Sequence, residues 1–302
     1  MPPPAADAPC PEQAFNATAL KWHTCAWLLL PVLVFLAGWM HWYAALPLTL
    51  LTAAGLTPRK RKEPQTRDSL PAFPLFTRSS FLALAAFAAL MALSGWGEWV
   101  NQHPDHIVRN ACLRELVASP WPVIFPDGNV LIYNTGFWLV PALAGKLAGL
   151  DAARMLVVLW GAWGLFLSWL WLCVFSGRRS LLLALLMAAF GSLLNFQCWL
   201  GLDLFRLHYF GTAEQIMCSA NASIPVLLFF IFLASGRMPL PWIPLLFAAT
   251  AFYSPLAALG GLPLAACQWY RQWRGVPPLR DVLLHPSFSA SVLLGVCFLL
   301  YY

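Results

Sequence analysis

The sequence predicts an all-α fold: a polytopic transmembrane helix bundle with an interfacial amphipathic helix in its first large outer loop. Three observations predict it. The 302-residue chain has a mean hydropathy of +0.69 and 10% charged residues, against roughly 25% in soluble domains. Several apolar runs reach or approach the ~20 residues that cross a bilayer as a helix. Runs such as "SLLLALLMAAFGSLL" do not alternate apolar and polar residues. That excludes a membrane barrel, whose strands would alternate in pieces of about ten residues.

The elements follow in order. Residues 1–22 are Pro- and Ala-rich and have no basic stretch ahead of an apolar one, so they are not a cleavable signal peptide. They are expected to be a disordered cytoplasmic tail, with 23–302 as the transmembrane module. The apolar run 25–56 is broken by His41, Trp42 and Tyr43. It reads as a helical hairpin with aromatics at headgroup level. "PRKRKEPQTR" marks 57–79 as a basic loop, which the positive-inside rule puts in the cytoplasm. A span over 81–96 then leads outward into a long polar loop, 97–134. That loop holds Glu98, Asp105, Glu115 and Asp127 against Arg109 and Arg114.

The run 134–150 is short and contains Pro141 and Lys146. If it crossed, Arg178, Arg179, Arg237, Arg271, Arg274 and Arg280 would all move outside. A helix dipping into the outer interface fits the charges better. Spans are expected near 155–175 and 181–199, then a second outer loop over 200–221. Apolar runs at 224–234, 242–253 and 256–269 follow. The closing "SVLLGVCFLLYY" reads as an apolar run continuing in a longer protein, of which this chain is one module.

The net charge of +6 is concentrated in one interhelical loop, so no nucleic-acid partner is expected. The eight cysteines are scattered through apolar runs and read as small buried hydrophobes, not disulfides or zinc ligands. The sequons at Asn16 and Asn221 are discounted, the first as cytoplasmic and the second as abutting a span. No repeat or symmetry of halves is visible, which weighs against inverted-repeat transporters.

The polar chemistry gathers in "NQHPDHIVRNACLREL". Asp105 is expected to cap a helix running to about residue 117. Asp105 and Arg109 are then i,i+4 neighbours, as are His106 and Asn110. These four share one arc, and Ile107, Val108, Ala111 and Cys112 take the other. The arrangement presents a carboxylate, an imidazole, a guanidinium and an amide at the membrane surface. A carboxylate can accept a proton from a hydroxyl, an Arg can hold a phosphate bidentately, and a His can do either or bind a metal. The loop after it is stiffened by Pro120, Pro122 and Pro126 and turns at Asp127–Gly128. Trp121, Phe125, Tyr133, Phe137 and Trp138 would line a sugar or lipid site, or form an interfacial belt. Asp203, Arg206 and His208 could complete the site from the second loop. Lys146 either snorkels or meets a lipid phosphate.

"DHIVRNACLREL", followed by "WPV…PDG…Y…GFWLVPALAGK", resembles the first outer loop of the GT-C superfamily of integral membrane glycosyltransferases. The resemblance covers residues 96–150 in detail and the rest as hydropathy; a hairpin precedes the loop here. It implies inverting transfer of a sugar from a polyprenyl-phosphate donor to a glycan, lipid or protein acceptor. The reaction would take place on the outer face of a bacterial inner membrane, with membrane lipid around it. Asp105 would be the general base. Arg109, with His106, Asn110 or Lys146, would bind the donor, and Asp203 and His208 would position acceptor or metal. The cofactor is left open, a divalent cation being compatible. The alternatives are a transporter or flippase of a lipid-linked or amphiphilic substrate, and a non-catalytic membrane scaffold. Transport predicts ionisable residues at mid-membrane depth, and this chain has almost none.

Overall fold

The computed structural model describes residues 17–57, 77–100, 102–190, 211–273 and 278–302. Within them the regular structure is helical, apart from one isolated antiparallel bridge between Ile124 and Val130. In chain order the helices are α1 (Ala17–Trp39), α2 (Trp42–Leu56), α3 (Arg78–Leu93), α4 (Pro104–Ala118), α5 (Gly136–Ala148) and α6 (Leu150–Ser176). They continue as α7 (Leu181–Ala189), α8 (Thr212–Ala234), α9 (Trp242–Tyr253), α10 (Pro255–Trp273), α11 (Leu279–Leu283) and α12 (Pro286–Tyr301).

Among the described residues, three helices are long and apolar enough to cross a membrane: α1, α6 and α8. They pack on one another around large aromatics whose polar edges are used. The Trp27 indole donates to the Trp160 carbonyl at 3.0 Å, Trp171 donates to Thr24 Oγ1 at 2.8 Å, and the Tyr253 hydroxyl donates to the Trp27 carbonyl at 2.9 Å. Burying an aromatic with its N–H or O–H satisfied keeps the apolar gain without an orphaned donor. Close approach needs a small residue. A Cβ on Gly164 of α6 would sit 2.6 Å from Ile224 of α8 and 2.7 Å from Trp27 of α1.

These contacts set directions. Thr24 and Trp27 meet Trp171 and Trp160 in reversed order, so α1 runs antiparallel to α6. Ile224 and Phe232 meet Gly164 and Trp171 in the same order, so α8 runs parallel to α6. α3 is antiparallel to α6, with Met91 against Gly161 and Ser80 against Arg179. One end of the bundle therefore carries α4 and the starts of α6 and α8. Glu98, Asp105, Arg109, Arg114, Asp151, Arg154 and Glu214 collect there. The opposite end carries Lys21, Arg78, Arg178, Arg179 and Arg237, with Arg280 and Asp281 beside the start of α12.

Two sequence expectations change, and the short run after Asn134 takes its place in the bundle. α1 begins at Ala17, inside the stretch expected to be a tail. The second polar stretch is helical from Thr212 on, because Ala213, Glu214, Gln215 and Met217 are strong helix formers and polarity alone does not make a loop. α5, at 13 residues, covers about 20 Å, short of the ~30 Å hydrocarbon layer. Phe137, Trp138, Leu139 and Ala142 are all buried against the rest of the bundle. A Cβ on its Gly145 would sit 2.6 Å from Val117 of α4 and 2.8 Å from Ala153 of α6.

Candidate functional site

α4 starts where the chain gives it both a cap and a preset backbone. His103 is the N-cap, with φ −67° and ψ 147°, and its Nδ1 accepts the Asp105 N–H at 3.3 Å. Pro104 occupies the first helical position, where its missing N–H costs nothing. Asp105 is therefore not the cap. It lies in the first turn, where its charge favours the helix dipole.

The expected polar arc of α4 is divided. Asp105 is exposed, as expected, but His106 and Arg109 are 1% and 7% exposed and turn toward the bundle, whereas Ile107 and Val108 are 70% and 58% exposed. Cys112, expected on the arc with Ile107 and Val108, is buried. The reason lies 110 residues away. α8 breaks at Ser219, whose φ is −152° and ψ 44°. Backbone groups at such a break need side-chain partners when water is excluded. His106 Nε2 bonds the Met217 carbonyl at 2.8 Å, and the Trp96 indole donates to the Ile216 carbonyl at 2.8 Å. Ser223 Oγ donates to the Ser219 carbonyl at 3.0 Å, and Arg109 donates to Ser219 Oγ at 3.2 Å. A ring nitrogen facing a carbonyl carries the proton, so His106 Nδ1 is the bare nitrogen. Burial holds the His106 pKa below its ordinary value, with the Met217 carbonyl opposing and Arg109 adding to the drop.

Arg109 is the centre of the cluster. Its guanidinium lies 3.5 Å from Asp105 Oδ2 and 5.9 Å above the Trp96 ring. The Asp105 side chain is 53% exposed, so the pair joins a buried cation to a solvent-facing carboxylate. Arg109 Nε and Nη1, His106 Nδ1 and Asn221 Oδ1 are buried without hydrogen-bond partners. That leaves donor capacity on a buried cation, a feature that invites an anion.

Other expected site residues have structural duties. Asn110 donates to Gln102 Oε1 at 2.8 Å, and Gln102 in turn holds the Gly95 and Val100 carbonyls. Lys146 donates to the Ser119 carbonyl at 2.5 Å and the Val117 carbonyl at 3.4 Å, with Trp121 5.0 Å beneath its ammonium. It thus closes the C-terminal end of α4, where a cation meets the negative pole of the helix, in place of the expected phosphate contact. Phe137 and Trp138 are core residues packed around Trp96 and line no surface. Asp203 and His208 lie outside the described residues.

Glu98 was read only as loop charge, yet it organises this end. Its φ is +66°, directly after Gly97 and three residues after Gly95, both at +92°. A non-glycine residue in that region is uncommon and held by its surroundings. Here Glu98 Oε2 accepts Arg114 at 2.5 Å and also Arg154, which in turn reaches Asp151 at 2.9 Å. One carboxylate ties the α3–α4 loop to both α4 and α6. The glycine-flanked acid in "GWGEW" was the available signal.

Among the described residues, no group of three or more His, Cys, Asp or Glu is placed to hold a metal ion. Two apolar grooves, of about 300 Å³ between α3 and α6 and about 250 Å³ between α1 and α2, lie apart from the polar cluster. Comparison with protein-family profiles, curated proteins and solved structures returns no match for the chain.

Proposed function

We propose that the chain is a polytopic membrane glycosyltransferase of the GT-C type, drawing on a polyprenyl-phosphate-linked sugar. The observation that carries this reading is the Asp105–Arg109 pair. It sets an accessible carboxylate 3.5 Å from a buried guanidinium whose Nε and Nη1 are unfilled. Asp105 accepts the proton of an acceptor hydroxyl, and Arg109 holds the departing phosphate. His106, neutral and tied to α8, fixes the face of α4 that Arg109 shares.

The α4 end faces outward from a bacterial inner membrane in this proposal. The cations at the opposite end support that orientation through the positive-inside rule. Trp42, Tyr43 and Trp99 are exposed at the α4 end, as an interfacial aromatic belt would be. The shorter apolar helices complete the bundle.

The test uses the full chain in proteoliposomes, with polyprenyl phosphate glucose and polyprenyl phosphate mannose, radiolabelled, tried in parallel on membrane acceptors. Asp105→Asn should lower label transfer by about 10²-fold or more while still binding farnesyl phosphate. Near-normal transfer by that variant sinks the assignment of the base. One observation favours a second reading, transport: the break in α8, since broken helices line substrate paths in transporters. Passage of the intact labelled lipid across sealed vesicles, without chemistry, would support it over transfer.

A further inference from the structure

We infer that Cys218, His103 and Asp105 form a thiol site that takes an acyl group from an activated acyl ester. Cys218 lies on α8 immediately before the break at Ser219. Its Sγ is 3.9 Å from His103 Nε2, and His103 Nδ1 is 3.7 Å from Asp105 Oδ2. The order thiol, imidazole, carboxylate is that of a nucleophile, its base and the group that orients the base. Such contacts are often loose before substrate arrives.

His103 can serve because it stands at the helix cap, 36% exposed, with two uses for one nitrogen. Bare, Nδ1 accepts the Asp105 N–H; protonated, it turns its proton to the Asp105 carboxylate. In the second form Nε2 is bare and faces the thiol. Glu214 on α8, and Asp105 and Arg109 on α4, are the charges around Cys218; His106 is the other titratable group beside His103. The flank is apolar, with Ile107, Val108, Trp99 and Met217 exposed, which suits an acyl chain.

In the step, Cys218 Sγ bonds to the ester carbonyl carbon while its proton passes to His103 Nε2. The carbon–oxygen bond to the leaving group then breaks, and the leaving oxygen takes that proton. The products are S-acyl Cys218, a free alcohol or phenol and neutral imidazole. The step needs no sugar transfer, though it shares Asp105 with the proposed transfer site.

The experiment treats the full chain in detergent with 4-nitrophenyl octanoate. It follows nitrophenol release and maps octanoyl groups by peptide mass spectrometry. Cys267 is exposed and serves as the internal reference. Cys218 should acylate at least about ten-fold faster than Cys267. Cys218→Ser should abolish the fast phase and keep farnesyl phosphate binding. His103→Asn keeps a good cap and removes the base, so the rate should fall by about 10²-fold. Equal labelling of Cys218 and Cys267, or an undiminished rate in His103→Asn, would overturn the inference. If that variant fails to fold, the labelling ratio of Cys218 to Cys267 in the native chain decides alone.

Discussion

Glu98, 12% exposed, and buried Arg109 lie at the same end of the bundle and are paired differently. One Glu98 oxygen takes two cations from other elements, Arg114 and Arg154, with Asp151 balancing the second, while its other oxygen has no hydrogen-bond partner. Arg109 shares its charge with a half-exposed carboxylate and leaves Nε and Nη1 unfilled. A network closed across the loop, α4 and α6 holds those elements together. A buried cation paired to one solvent-facing carboxylate keeps donors for something that arrives from outside. The contrast separates the part of this end that builds the fold from the part offered to a ligand.

The largest effect should come from breaking the closed network. Glu98→Gln removes the anion both arginines need, and stability should fall by about 2–4 kcal/mol, read as a lower unfolding midpoint in detergent. An unchanged midpoint would mean that Glu98 is not the tie between α4 and α6. Arg109→Met should behave differently. Its partner Asp105 is 53% exposed and stays solvated when Arg109 is removed, so losing the pair costs little. The midpoint should move by less than about 1 kcal/mol, while farnesyl phosphate binding drops by about ten-fold or more. If Arg109→Met costs as much stability as Glu98→Gln, the two networks are alike and the comparison fails. The smallest effect belongs to Lys146→Met, which removes the cation from the C-terminal end of α4. The loss should be about 0.3–1 kcal/mol with ligand binding unchanged; weakened binding would return Lys146 to the site.

The sequence revealed the helical class, the hairpin at His41 and the helix after Pro104, because hydropathy and local caps set those. It also picked out Asp105 and Arg109, whose i,i+4 spacing is local. It misread the facing of α4. The partner of His106 is Met217, 111 residues on, and no local pattern reports a carbonyl freed by a distant break. Cys218 and His103 were hidden for the same reason. Lys146 showed its type but not its duty, since a cation suits a helix end and a phosphate equally well.

The break in α8 also has a consequence for biogenesis. α4 is synthesised 111 residues before the carbonyl that His106 bonds, and at about 5–20 residues per second the wait is on the order of 5–20 s. Through that interval His106 and Arg109 have no seat in the bundle and belong in water or among headgroups. His106 and Arg109 reach their partners Met217 and Ser219 only once α8 is in place. Insertion of α8, not of α4, is the event that completes the site.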